Sequence, residues 1–187
     1  PNKEIRSREY LTSQEVDKIM TEARRRGRHG HRDATLILLS YRHGLRVSEA
    51  VDLRWDQIDW HGYIHVQRLK NGNPSTQPME GDEIRALRRL KRDNPDSSFI
   101  FVTERKGPLT TSTVRKMIAK AGELAAKVMD LPASIHPHML RHGCGYYLAN
   151  KGVDTRTIQD YLGHKNINAL FFSDSTILFR WKTFKRD

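Results

Sequence analysis

The 187-residue sequence has a single cysteine, Cys144, so an internal disulfide is excluded and a reducing, intracellular setting is expected. No apolar run approaches the ~20 residues needed to span a bilayer. The first residues lack a signal-peptide pattern, so the expectation is a cytoplasmic protein with no membrane partner. Repeats and low-complexity segments are also missing, and the length suits one domain with a real core rather than two. Acidic residues are the minority charge, 22 against 33 lysines and arginines, a net of +11. A field of that sign attracts polyanions, phosphate backbones above all, and binding should weaken with salt. Charge alone also fits a basic protein with no nucleic-acid role.

Apolar residues make up 37% of the chain, and their spacing outlines a mainly α protein. "LTSQEVDKIMTEARRRG" reads as a helix opened by a Thr12/Glu15 capping box. "RRRGRHGHR" (24–32) reads as a basic loop, either touching phosphate or merely solvated, and "DATLILLSYRHG" as a buried helix ending at Gly44. A short helix over "LRVSEAVDL" follows. The period then shifts, and "LRWDQIDW", "GYIHVQRL" and "STQPME" read as three short strands, with Asn71-Gly72 as a hairpin signal. Helices return at 83–93 and 110–128, with "SSFIFV" extended between them. Two more fall over 136–152, with Pro137 in the first turn, and over "DTRTIQDYLGH", capped by Asp154 and stopped by Gly163. The expected fold is α+β: mainly helical, with a small antiparallel sheet after the third helix. One domain covers 1–187, its core about 11–173 and a helical tail about 175–187, in which Ile177, Leu178, Trp181 and Phe184 form an apolar stripe.

In "HMLRH", His138, Arg141 and His142 share one helix face at i, i+3 and i+4. Two histidines four apart have zinc spacing. However, Met139 stands where the zinc-protease helix carries glutamate, and no further carboxylate or cysteine pair has ligand spacing, so no metal is expected. The bland reading is an exposed polar helix face. The sharper one is a phosphoryl site, where a guanidinium fork binds two oxygens and histidine donates or shuttles a proton. A phosphorane needs a second arginine, and Arg46 in "HGLRVSEA" supplies one, unless it is a surface residue paired with Glu49. Lys70, at a strand end, is either a solvated turn lysine or a general acid for a leaving oxygen.

Taken in order, "HGLRVSEA", a hairpin lysine, "HPHMLRHGCG" and "IQDYLGHKNI" resemble the catalytic domain of the tyrosine recombinase (phage integrase) family. The likeness is strongest to the short fimbrial-type site-specific invertases, which lack a separate core-binding domain. It runs from about Leu11 to the C-terminus. The resemblance implies that Arg46 and Arg141 clamp a scissile phosphate without metal or other cofactor. It makes Lys70 the proton donor to the 5′ oxygen, His138 an acid/base and His164 a hydrogen-bond donor to a non-bridging oxygen, with Glu49 and His142 in support. It further implies double-stranded DNA as partner and a homo-oligomer, a tetrameric synapse, on that DNA, with the C-terminal helix docking on a neighbouring protomer.

The sequence departs from the family at one position. The family's tyrosine nucleophile falls nine residues after the last site histidine, which is Ser173 here. Serine is shorter, and its hydroxyl is far less acidic than a phenol of pKa about 10. Three readings follow: an altered recombinase that binds and positions DNA but does not cleave it, a non-catalytic DNA-binding regulator that keeps the fold and the phosphate clamp, or a tail "FSDSTILFRWKTF" in a different register with the nucleophile supplied by another chain.

Overall fold

Helix α1 (Ser13–Arg24) starts at the expected capping box: Glu15 Oε2 accepts from the Thr12 amide at 2.7 Å, and Thr12 Oγ1 accepts from the Glu15 amide. The computed structural model describes residues 8–68 and 72–163. Lys70, His164, Ser173 and the C-terminal tail therefore lie outside the described residues.

Helix α2 (Gly30–Arg42) begins three residues before the apolar run, because the basic loop is shorter than its composition suggests. A Cβ on Gly30 would stand 2.1 Å from the Arg24 carbonyl oxygen, so only glycine lets the chain turn this sharply out of α1. Residues 33–41 of α2 are all buried, as a helix apolar on every side must be. Around it pack α1, α4 (Gly81–Asp93) and α6 (Pro137–Asn150), while α5 (Thr111–Ala125) packs on α1. Gly44, at φ +57°, then turns the chain into the short helix α3 (Val47–Val51).

The sheet is antiparallel in the order β1 (Ile58–Asp59), β2 (Tyr63–Val66), β3 (Ser75–Pro78). One strand expectation needs correction. "LRWDQIDW" is a 3₁₀ turn over Trp55–Gln57 leading into a two-residue strand. Gln57 takes the Arg54 amide on its side-chain oxygen at 2.9 Å and donates to the His65 carbonyl at 2.8 Å, which favours a turn over a ladder. The antiparallel pairing of β2 with β3 that Asn71-Gly72 signals does form, with Val66 opposite Ser75, while Asn71 itself lies outside the described residues. Gly72 also serves close packing: a Cβ there would stand 2.7 Å from both the Arg68 Cβ and the Gly163 carbonyl.

Helix α4 (Gly81–Asp93) follows the sheet. "SSFIFV" contributes only isolated bridges, Arg54 with Phe99 and Val102 with Pro108. Pro137 opens α6 in its first turn. Helix α7 (Thr155–Leu162) is capped by Asp154 and ended by Gly163 at φ +68°, as its sequence requires. A small cluster of Cys144, Leu148, Tyr161 and Leu162 docks α7 on α6. The described residues thus form the mainly helical fold with a three-stranded antiparallel sheet that the periodicity implies.

Candidate functional site

Glu49 organises the polar centre. Its side chain is buried on α3, and the carboxylate divides between two arginines: Arg46 Nη1 donates to Oε1 at 2.8 Å, and Arg68 Nη1 donates to Oε2 at 2.8 Å. Oε2 also accepts from the Arg46 amide at 2.9 Å. These donors hold the Glu49 carboxyl below its usual range against the burial that pushes it up. The surface pair suggested for Arg46 and Glu49 does form. It uses one Nη of Arg46, whose side chain remains 27% exposed.

Arg141 enters from α6. Its Nη1 donates to the Gly44 carbonyl at 2.5 Å and its Nη2 to the Leu162 carbonyl at 2.6 Å. The left-handed turn at Gly44 is what aims that carbonyl inward, where Arg68 Nη1 shares it at 3.1 Å. Burial, then the like charges of Arg68 and Arg46, pull the Arg141 pKa down to about 10, still cationic at neutral pH. Arg46, Glu49 and Arg141, spread over nearly a hundred positions, are therefore brought into one cluster.

His138 lies on the exposed side of α6, its ring 4.4 Å from that of His142 in an edge-on arrangement. Burial, followed by the positive fields of His142, Arg141, His136 and Arg46, lowers its pKa, so the neutral imidazole prevails at neutral pH and can accept a proton. His142 Nδ1 donates to the Glu9 carbonyl at 3.0 Å, tying the N-terminal segment to α6. Among the described residues no three of His, Cys, Asp and Glu converge as a ligand group.

Arg68 was missed from the sequence. Its side chain is withdrawn from solvent and donates to Glu49, to the carbonyls of His43 at 3.0 Å and Gly44, and to the Tyr161 carbonyl at 2.6 Å. Burial depresses its pKa, and Glu49 opposes the shift. A signal did exist: Ile64, Val66 and Arg68 continue the inward alternation of β2, and an arginine at an inward position demands a buried acid. Next to it lies a second buried network. His43 is bonded through Nδ1 to Gln77 Oε1 and through Nε2 to Glu83 Oε1, both at 2.8 Å, while Arg42 reaches Asp82 and Glu83.

These shifts give a signed pH dependence. Glu49, Glu83 and Asp82 have lowered pKa values in the fold, so their stabilisation is complete above the ordinary carboxylate range and is lost as pH falls through the folded values. His138 is also depressed, so the unfolded chain binds its proton first and stability starts to fall below about pH 6.5. Thermal melts should show two acid-side losses, one beginning near pH 6.5 and one below about pH 4.5. His138→Gln should flatten only the first; an unchanged upper slope in that variant would contradict the assignment.

A mainly helical domain with a small antiparallel sheet, holding buried arginines around one carboxylate, has the architecture of a recombinase catalytic domain. The chain belongs to the phage integrase family, whose model matches residues 9–170. The type 1 fimbriae regulatory protein FimE of Escherichia coli (strain K12) is 43% identical over 167 residues, 86% of this chain and 82% of that protein. The tyrosine recombinase XerC of Oceanobacillus iheyensis is 33% identical over 170 residues, 86% of this chain and 54% of its own length. Among solved structures, the lambda integrase catalytic core superposes with a TM-score of 0.67 at 22% identity, covering 88% of this chain and 95% of that one. A lambda integrase tetramer bound to a Holliday junction gives 0.68 at 22% identity, covering 97% and 50%.

Proposed function

We propose that this chain binds duplex DNA and positions a scissile phosphate for site-specific strand exchange by transesterification. The observation that carries this is the gathering of Arg46 and Arg141 about Glu49 and the Gly44 carbonyl. Two guanidiniums held in one place can offset the charge that builds on a phosphorane, a role otherwise given to a metal ion. In this reading His138 exchanges a proton with the attacking hydroxyl, Lys70 protonates the departing 5′ oxygen and His164 bonds a non-bridging oxygen. Glu49 holds Arg46, and His142 supports His138. The chain acts as a homo-oligomer on DNA, in the cytoplasm.

At the nucleophile's position stands Ser173, which favours a second reading: a binder that keeps the clamp and regulates without cutting. Nicked duplex carrying the recognition sequence, found first by footprinting, separates the two on denaturing gels. The expected result is no covalent adduct with the unsubstituted chain and a protein–DNA adduct with Ser173→Tyr. An adduct on the unsubstituted chain that disappears in Ser173→Ala would show that serine attacks. No adduct from Ser173→Tyr, with DNA binding intact, would remove the catalytic reading and leave the regulator.

A further inference from the structure

The segment "RRRGRHGHR" is not used by the candidate site, and the fold gives it a partner. Its Arg24 and Arg28 stand beside α4, where Asp82, Arg85 and Arg89 follow one another at i, i+3 and i+7 on a single face. Together with Gly30, His31 and Ala86 they line an open groove of about 480 Å³ on the flank of α2. The only carboxylate in its wall, Asp82, is already held on both oxygens by Arg42, at 2.5 and 2.8 Å. Arg28 pairs with the exposed Glu104 at 3.1 Å. The side chains of Arg24, Arg85 and Arg89 have no hydrogen bond or ion pair among the described residues, and all three are exposed. His31 Nε2 donates to the Ala86 carbonyl, which braces α2 against α4 and fixes the groove's width.

We infer that this groove is a second DNA contact, which takes the phosphate backbone of a duplex segment other than the one at Arg46 and Arg141. The proposal rests on the DNA binding put forward above, but not on catalysis. Three features favour nucleic acid over an acidic protein. The wall contains no aromatic or large aliphatic side chain to anchor a protein partner. Its cations are all arginines, whose planar fork suits phosphate oxygens. The concavity is shallow and open, as a backbone running through it needs. Arg24, Arg28 and Gly30 set one end of the groove at the N-terminal end of α2, and Asp82, paired with Arg42, sets the other near its C-terminal end, short of the candidate clamp at Arg46.

The test is the salt dependence of binding to a random-sequence duplex, read by fluorescence anisotropy on the full chain. Each phosphate contact contributes roughly 0.9 to the slope of log K against log salt. The Arg24→Ala/Arg85→Ala/Arg89→Ala variant should keep its melting temperature, lower that slope by about 2–3 and bind about ten-fold or more weakly at moderate salt. Arg46→Gln should lower it by about 1, and the two changes should add if the contacts are separate. A triple variant that matches the parent, while the parent binds DNA, would overturn the groove and leave the proposed function standing. Loss of binding to polyglutamate with DNA binding unchanged would also overturn it and assign the groove to an acidic protein. A parent with no salt-dependent DNA binding would remove the proposed function and this contact with it.

Discussion

Arg68→Met is expected to destabilise the fold by about 3 kcal/mol and to lower the melting temperature by roughly 10 °C in a chain of this size. Methionine matches the length of the arginine stem, so little packing is lost. What disappears is charge compensation and hydrogen bonding in a place without water. The Glu49 carboxylate keeps Arg46 but loses its buried partner, and the His43 carbonyl loses the donor that Arg68 gives it. The Gly44 and Tyr161 carbonyls fare better, because Arg141 and Gln77 also donate to them. Arg68→Lys should recover only part of the loss, since one ammonium cannot reach acceptors on four residues from two sides. Adding Glu49→Gln to Arg68→Met should restore some stability by removing the poorly compensated charge. A loss below about 1 kcal/mol in the single variant would show that this network is marginal to the fold.

Arg46→Ala should behave in the opposite way, though it removes a partner from the same carboxylate. Its side chain is partly in solvent, and Glu49 retains both Arg68 and the Arg46 backbone amide, so the stability change should stay under about 1 kcal/mol. The chemical effect should be large. In a Ser173→Tyr background, where an adduct can be counted, Arg46→Ala should slow its formation by about 100-fold or more, the scale of losing a preorganised donor to a developing anion. A melting temperature that fell as far as in Arg68→Met, or an adduct rate within a few-fold of the parent, would place Arg46 in the scaffold instead of the site.

The two arginines also show where sequence reading reached and where it stopped. Arg46 was found because it follows a glycine turn at a helix start in a recognisable string. The role of Arg68 is not legible in "QRLK", because its acid, Glu49, lies nineteen positions away, although the alternation through Ile64 and Val66 points Arg68 inward. Helix positions were legible from caps and periodicity: Thr12 with Glu15, Thr110, Asp154 and the stop at Gly163 all act as their chemistry requires. The strands were read too long. The period-2 pattern over "LRWDQIDW" is overridden by Gln57, whose side chain bonds the backbone, whereas the Asn-Gly signal between β2 and β3 holds. The roles of Lys70, His164 and Ser173 rest on sequence, since all three lie outside the described residues.

By itself the sequence determined the fold class and the family, because both depend on local periodicity or on residue identity at fixed spacing. Tertiary structure alone decided which charges share an environment. It placed Arg68 between Arg46 and Arg141, turned the Gly44 carbonyl toward both buried guanidiniums, and drew the basic loop at 24–28 alongside the arginines of α4. Such pairings join residues tens of positions apart. Burial and Coulomb interaction act on distance in space, which no one-dimensional pattern encodes.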